Sequence, residues 1–184
     1  MERQLYTARH SEIVKLVIKE MRMHGCWTIE NGCELRKEQR FPEALRRMGV
    51  TTSRVMPDIV ALSIGEEGQK SVLIADVKVK WFDILHEAQD QVEEQYRELA
   101  GDVKEEVDLL GPVAVPVGAT GEILDSWRSM CSVLRVPAER ANEFALKVSA
   151  TSIMGSQKCY NSYWQGFHSP GQKSGAESRR SSGK

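Results

Sequence analysis

Residues 56–81, MPDIVALSIGEEGQKSVLIADVKVKW, restrict the fold more than any other stretch of the chain. Two runs rich in Val, Ile and Leu flank GEEGQ, a glycine-bounded turn, and predict strands over 58–64 and 71–79 joined as a hairpin. Strand side chains alternate, so Val72, Ile74, Asp76 and Lys78 share one face while Leu73, Ala75, Val77 and Val79 share the other. A carboxylate and an ammonium are costly in a strand covered on both faces unless they are paired or solvated. The end of this strand should therefore meet an opening. Asp58 begins the first strand directly after Pro57, whose ring fixes the local backbone. In a hairpin the start of one strand faces the end of the other, which brings Asp58 beside Asp76 and Lys78.

Two neighbouring carboxylates repel, and a divalent cation is the usual means of stabilising them. Mg²⁺ (or Mn²⁺) takes oxygen ligands and keeps waters, one of which can act as nucleophile. A lysine beside that water could orient it, lower its pKa, or stabilise charge developing on phosphate. Asp58, Asp76 and Lys78 thus form an apparatus for phosphodiester hydrolysis. The competing reading is a surface salt bridge between Asp76 and a nearby lysine.

Around the hairpin, Ile13, Val14, Val17, Ile18 and Met21 recur at helical spacing and predict an amphipathic helix over about 7–24, stopped by Gly25. CWTIE, 26–30, reads as a short strand. Residues 31–55 carry the breakers Pro42 and Gly49 and read as a loop with a short helix near 43–48. A helix is expected over about 83–100, burying Leu85, Ala88, Val92, Tyr96 and Leu99. VAVPV, 113–117, reads as a strand, GATG as a turn into a helix over about 122–134, and Pro137 as the start of helices reaching 164. The low-apolar tail is expected to be disordered. The order helix, strand, hairpin, helix, strand, helices describes an α/β domain with a central mixed sheet flanked by helices, over residues 1–166, with a basic Ser/Gly-rich tail at 167–184.

A chain of 184 residues can build one sizeable core. No run approaches transmembrane length and the polar start is no signal peptide, so no membrane partner is expected. The cysteines, Cys26, Cys33, Cys131 and Cys159, form no CxxC pair and are expected as free thiols. His24, Cys26 and Cys33 lack a fourth zinc ligand at standard spacing. The net charge of -1 hides an asymmetry. Residues 36–54 hold six basic side chains against two acidic ones, and residues 83–108 hold ten acidic against Arg97 and Lys104. A polyanion would approach the first segment and avoid the second. Arg36, Lys37, Arg40, Arg46 and Arg47 are candidates for a phosphate-contacting strip, with a solvated loop as the alternative.

The pattern PD, seventeen residues, DVK resembles the PD-(D/E)XK nuclease superfamily. More narrowly, the chain resembles the restriction-like endonuclease domain of site-specific non-LTR retrotransposon polyproteins. ARHSEIV (8–14) is similar to that domain's RHN-like opening, and MPDIVAL (56–62) and VLIADVKV (72–79) to its acidic strands. AQDQVEEQY (88–96) is similar to its Tyr-terminated helix, VAVPVGATGE (113–122) to its strand and Gly-Ala-x-Gly turn, and KVSATSIMGSQKCYNSYW (147–164) to its closing segment. The resemblance spans Arg9 to Trp164. It implies a restriction-endonuclease-like fold and a metal-dependent nuclease that nicks target DNA to prime reverse transcription.

Carried over, Asp58 and Asp76 are the implied metal ligands. Many retroelement members place the lysine on the Tyr-terminated helix; none precedes Tyr96 there, so Lys78 takes the role, with Lys80 in reserve. An upstream acid is implied at Glu30, with Glu34 second. DNA is the implied partner, element RNA a further one through a reverse transcriptase portion, and the nucleus the implied location. The zinc knuckle and polymerase that usually precede such a domain are absent from this sequence, which implies an excised domain, a fragment or a repurposed copy. A catalytically silent DNA-docking relic is the alternative to an active nuclease. His10 could contact phosphate or serve a local structural role. Trp27, Trp81, Trp127 and Trp164 are expected to pack at the core or its edge. Gly118 and Gly121 are expected to shape a turn, since no Walker lysine follows.

Overall fold

The computed structural model describes residues 2–25, 27–50, 56–65, 67–104 and 107–168. Cys26, Arg54 and residues 169–184 of the expected tail lie outside the described residues, while 167 and 168 belong to the last helix. The elements run α1 (Glu2–His24), β1 (Thr28–Asn31), α2 (Gly32–Lys37), α3 (Glu43–Arg47), β2 (Ile59–Ile64) and β3 (Lys70–Lys80). A 3-10 turn (Phe82–Glu87) leads into α4 (Ala88–Gly101), followed by β4 (Val107–Gly118), α5 (Trp127–Val133) and α6 (Ala141–His168). No helix among the described residues is long and apolar enough to cross a membrane.

The four strands form one mixed sheet in the order β1-β2-β3-β4. β1, β2 and β3 pair antiparallel in succession, whereas β3 and β4 are parallel and joined through α4. The strands are too apolar to leave either face wet, and helices cover both. Ile59, Ala61, Leu73, Ala75 and Val77 face α1, α5 and α6, meeting Ile13, Val17, Trp127, Phe144 and Val148. Val60, Leu62, Val72 and Ile74 face α3 and α4, meeting Leu45, Met48, Val92, Tyr96 and Leu99. All five residues expected on the buried stripe of α4 are buried. So are the five expected on α1.

Several elements differ from expectation for local reasons. The loop expected at 31–55 contains α2, because the Asn31 side chain accepts from the N–H groups of Cys33 (3.0 Å) and Glu34 (3.3 Å) and caps a helix. β4 starts at Val107 rather than 113 because a register shift opposite Leu73 and Ala75 absorbs Gly111 and Pro112 within the ladder. α5 starts at Trp127 rather than 122 because Glu122 is held in the preceding turn, where its carboxylate accepts from the Thr120 N–H and hydroxyl. That GATG turn is shaped by glycines as expected. Ser152 donates to the Gly118 carbonyl and Ser149 to that of Gly121, each at 2.7 Å, so one face of α6 holds the turn. α6 also sets the register of α1 through Arg9, whose guanidinium donates to Ser156. Of the tryptophans expected at the core or its edge, Trp27 and Trp127 are buried, whereas Trp81 is 64% and Trp164 44% exposed.

Candidate active site

The site forms where β2 begins and β3 continues past it. Ile59, the first residue of β2, pairs with Ala75, and β3 runs on to Lys80 without β2 beside it. A strand that loses its neighbour leaves backbone groups to be satisfied. Side chains do this for Val77. Its N–H donates to Asp58 Oδ2 at 2.9 Å, and its carbonyl accepts from His10 Nε2 at 3.1 Å. Asp58 is thus locked to β3 by its own side chain, and its backbone N–H donates to Asp76 Oδ1 at 3.2 Å. The two acids are together, as the hairpin predicts.

Both are buried, Asp58 at 3% and Asp76 at 5% exposure, and each has a cationic partner. His10 Nε2 lies 2.9 Å from Asp58 Oδ2, and Lys78 Nζ lies 2.5 Å from Asp76 Oδ2. Lys78 also donates to Gln95 Oε1 at 2.8 Å. The Tyr96 hydroxyl, 3.1 Å from Asp76 Oδ1, donates to that carboxylate and is supported by Gln95 Nε2 at 2.8 Å. The alternation that put Asp76 and Lys78 on one face is what turns both toward α4.

The charges are set by these contacts. Burial and then the Asp58 charge push the Asp76 carboxyl up to about 6, against the pull of Lys78. Burial also opposes ionisation of Asp58, but the His10 hydrogen bond and charge, with the Val77 N–H, bring its carboxyl down to about 2. Burial disfavours charge on His10 too, yet Asp58 and Cys33 raise it to about 10. The Tyr96 hydroxyl is raised by burial and by the two carboxylates, so it stays protonated and can donate.

Above the acids lies a cleft of about 710 Å³. Buried Asp58 and Asp76, half-buried His10 and Lys78, and exposed Arg36 and Arg40 all line it. The lining carries more positive than negative charge, which suits an anionic ligand. Of the acidic segment 83–108, Gln95 and Tyr96 line the cleft and no acidic residue does, among the described residues.

Not every candidate is brought here. Glu30 is turned to α3, where Oε1 accepts the Ala44 N–H at 3.1 Å and Oε2 is buried without a hydrogen-bond partner. It does not line the cleft, since its position on β1 opposite Val60 points it under α3. Glu34 lines a separate groove with Lys15, Lys19 and Arg22. Lys37, Arg46, Arg47 and Lys80 do not line the cleft either. Arg46 and Arg47 pair with Glu43, at 3.9 and 3.4 Å. His10 takes the structural role through Asp58 and Val77 while also lining the cleft. His24 pairs with Glu20 at 3.8 Å, and Cys26 of the His24, Cys26 and Cys33 set lies outside the described residues.

Sequence reasoning missed Cys33, whose thiol donates to Asp58 Oδ1 at 3.3 Å, and Gln95. Cys33 is delivered by α2, and α2 was legible in Asn-Gly-Cys-Glu, an N-cap residue followed three positions later by Glu. Gly32 permits the approach. Its N–H donates to the Asp58 carbonyl at 2.8 Å, and an added Cβ would lie 1.6 Å from the Pro57 carbonyl oxygen. Comparison with family models, curated proteins and solved structures gives no match.

Proposed function

We propose that this chain is a divalent-metal-dependent endonuclease that hydrolyses DNA phosphodiesters at the Asp58–Asp76–Lys78 cleft. The observation that carries this reading is the meeting of two buried carboxylates and a lysine at the floor of a basic-rimmed cleft. The donor set fits a hard cation, because both acids offer carboxylate oxygens and because burial, with the Asp58 charge, disfavours ionisation of Asp76 when no cation is bound. Asp58 and Asp76 would hold Mg²⁺ or Mn²⁺, which when bound supplies Lewis-acid charge and a water activated as nucleophile.

The remaining work falls to the chain's own groups. Lys78 stands at the floor with its ammonium shared between Asp76 and Gln95, where it can stabilise negative charge on a phosphate oxygen. Tyr96 and the Asp58 N–H fix Asp76 Oδ1 from two sides, and the Val77 N–H fixes Asp58 Oδ2. Such preorganisation spares the reaction the cost of orienting its ligands. Arg36 and Arg40 offer contacts to the DNA backbone, and the acidic side chains of α4 stay outside the cleft.

A restriction-endonuclease-like fold agrees with the mixed sheet flanked by helices. The retroelement origin, the RNA partner and the nuclear location rest on the resemblance alone. A silent DNA-docking module is the second reading, favoured by the pairing of each acid with a side-chain cation. Nicking of supercoiled plasmid with Mg²⁺ or Mn²⁺, lost in Asp58→Ala and Asp76→Ala, separates the two. Binding without cleavage supports the second.

A further inference from the structure

Three side chains of metal-ligating type converge from three different elements. His10 comes from α1, Cys33 from α2 and Asp58 from the residue before β2, and their donor atoms all lie within 4.8 Å of one another. The Asp58 carboxylate spans the other two, with Oδ2 2.9 Å from His10 Nε2 and Oδ1 3.3 Å from Cys33 Sγ. We propose that His10, Cys33 and Asp58 form a second metal site, selective for a thiophilic divalent cation of the zinc class.

Tetrahedral zinc at ordinary bond lengths needs neighbouring ligand atoms about 3.3–3.8 Å apart. The thiol-to-Oδ1 spacing already meets this, the imidazole-to-Oδ2 spacing opens by a few tenths of an ångström, and a turn of the carboxylate presents one oxygen to both ligands. Imidazole and thiolate select zinc over magnesium, which prefers all-oxygen sites. The Val77 N–H holds Asp58 Oδ2, so the carboxylate is oriented before a metal arrives. His10 and Asp58 line the cleft, which leaves a path for entry and room for a water as fourth ligand. Binding releases the Nε2 and thiol protons to solvent.

The site shares Asp58 with the hard-cation site. Its occupation would therefore draw that carboxylate away from catalysis, and this consequence alone rests on the nuclease reading.

The test is titration of the full chain with Co²⁺, a spectroscopic substitute for zinc, followed by displacement with Zn²⁺. The expected result is a sulfur-to-cobalt charge-transfer band that Zn²⁺ abolishes, that is absent in Cys33→Ser and that persists in Cys159→Ser. Zinc affinity should fall roughly tenfold or more in His10→Gln. In the unaltered chain, Zn²⁺ should also protect Cys33 from alkylation, read by peptide mapping, which needs no variant to fold. No sulfur band, a band that survives Cys33→Ser, or alkylation of Cys33 unaffected by Zn²⁺ would overturn the site. None of these readouts uses DNA cleavage, so a chain that binds cobalt but never nicks would refute the nuclease and leave the zinc site standing.

Discussion

The Asp58 backbone N–H donates to Asp76 Oδ1 at 3.2 Å, so the residue just before β2 grips the acid that β3 carries past the start of that strand. One contact joins the end of a strand pair to the chemistry of the site. It explains why the carboxylates stay together despite their charge: backbone donors, His10 and Lys78 share the burden of holding them.

Tyr96 supplies a buried donor to Asp76 and also accepts from Gln95. Tyr96→Phe removes the donor and leaves a buried carboxylate oxygen short of a partner, at a cost of about 1–3 kcal/mol. The expected outcome is a lower urea midpoint with an unchanged m-value.

The raised pKa of Asp76 makes stability depend on pH. Asp76 has its pKa lifted from 3.8 to about 6, so its folded form holds a proton more tightly than its unfolded form. Its contribution is fully present below pH 3.8 and is lost as pH rises through 6. Metal-free protein should therefore lose stability across that window, and Asp76→Asn should flatten the decline. Mg²⁺, which binds the ionised form, should raise the melting temperature at pH 7.5 and have little effect at pH 4.5. Differential scanning calorimetry at the two pH values checks both.

Arg36 and Arg40 line the cleft, Arg40 with Glu38 3.2 Å from its guanidinium, whereas Arg46 and Arg47 pair with Glu43 and do not line it. Arg40→Ala should weaken DNA binding and reduce the slope of log affinity against log salt by about 1. Arg46→Ala and Arg47→Ala should change neither by a comparable amount. Fluorescence anisotropy over a salt series reads the difference.

Gly32 sits where an added methyl would overlap the Pro57 carbonyl. Gly32→Ala must push α2 away from the start of β2, moving Cys33 off Asp58. A loss of more than about 2 kcal/mol is expected in chemical denaturation, as for other overpacked contacts.

The hairpin and its two acids were legible because alternation and a glycine-bounded turn are local signals, and because Asp58 and Asp76 lie on strands paired directly to each other. The buried stripes of α1 and α4 were legible for the same reason. His10 and Cys33 reach Asp58 across gaps of 48 and 25 residues, as their numbers in the chain show, and no periodicity encodes such meetings. Glu30 lies apart from the cleft because α3 stands over β1, an arrangement that sequence order does not signal. β4 was shortened because Gly111 and Pro112 look like a break, while the parallel ladder takes them up as an irregularity.

On the proposed function, Asp58 and Asp76 act together on a divalent cation to cut DNA. The most direct measurement is single-turnover nicking of supercoiled plasmid over a Mg²⁺ titration, with the unaltered chain and Asp76→Asn side by side. Metal-dependent nicking is expected, falling by more than about a hundredfold in the variant. Nicking that persists in Asp76→Asn with the same Mg²⁺ dependence, or no nicking at any Mg²⁺ or Mn²⁺ concentration by a folded, DNA-binding chain, would contradict it.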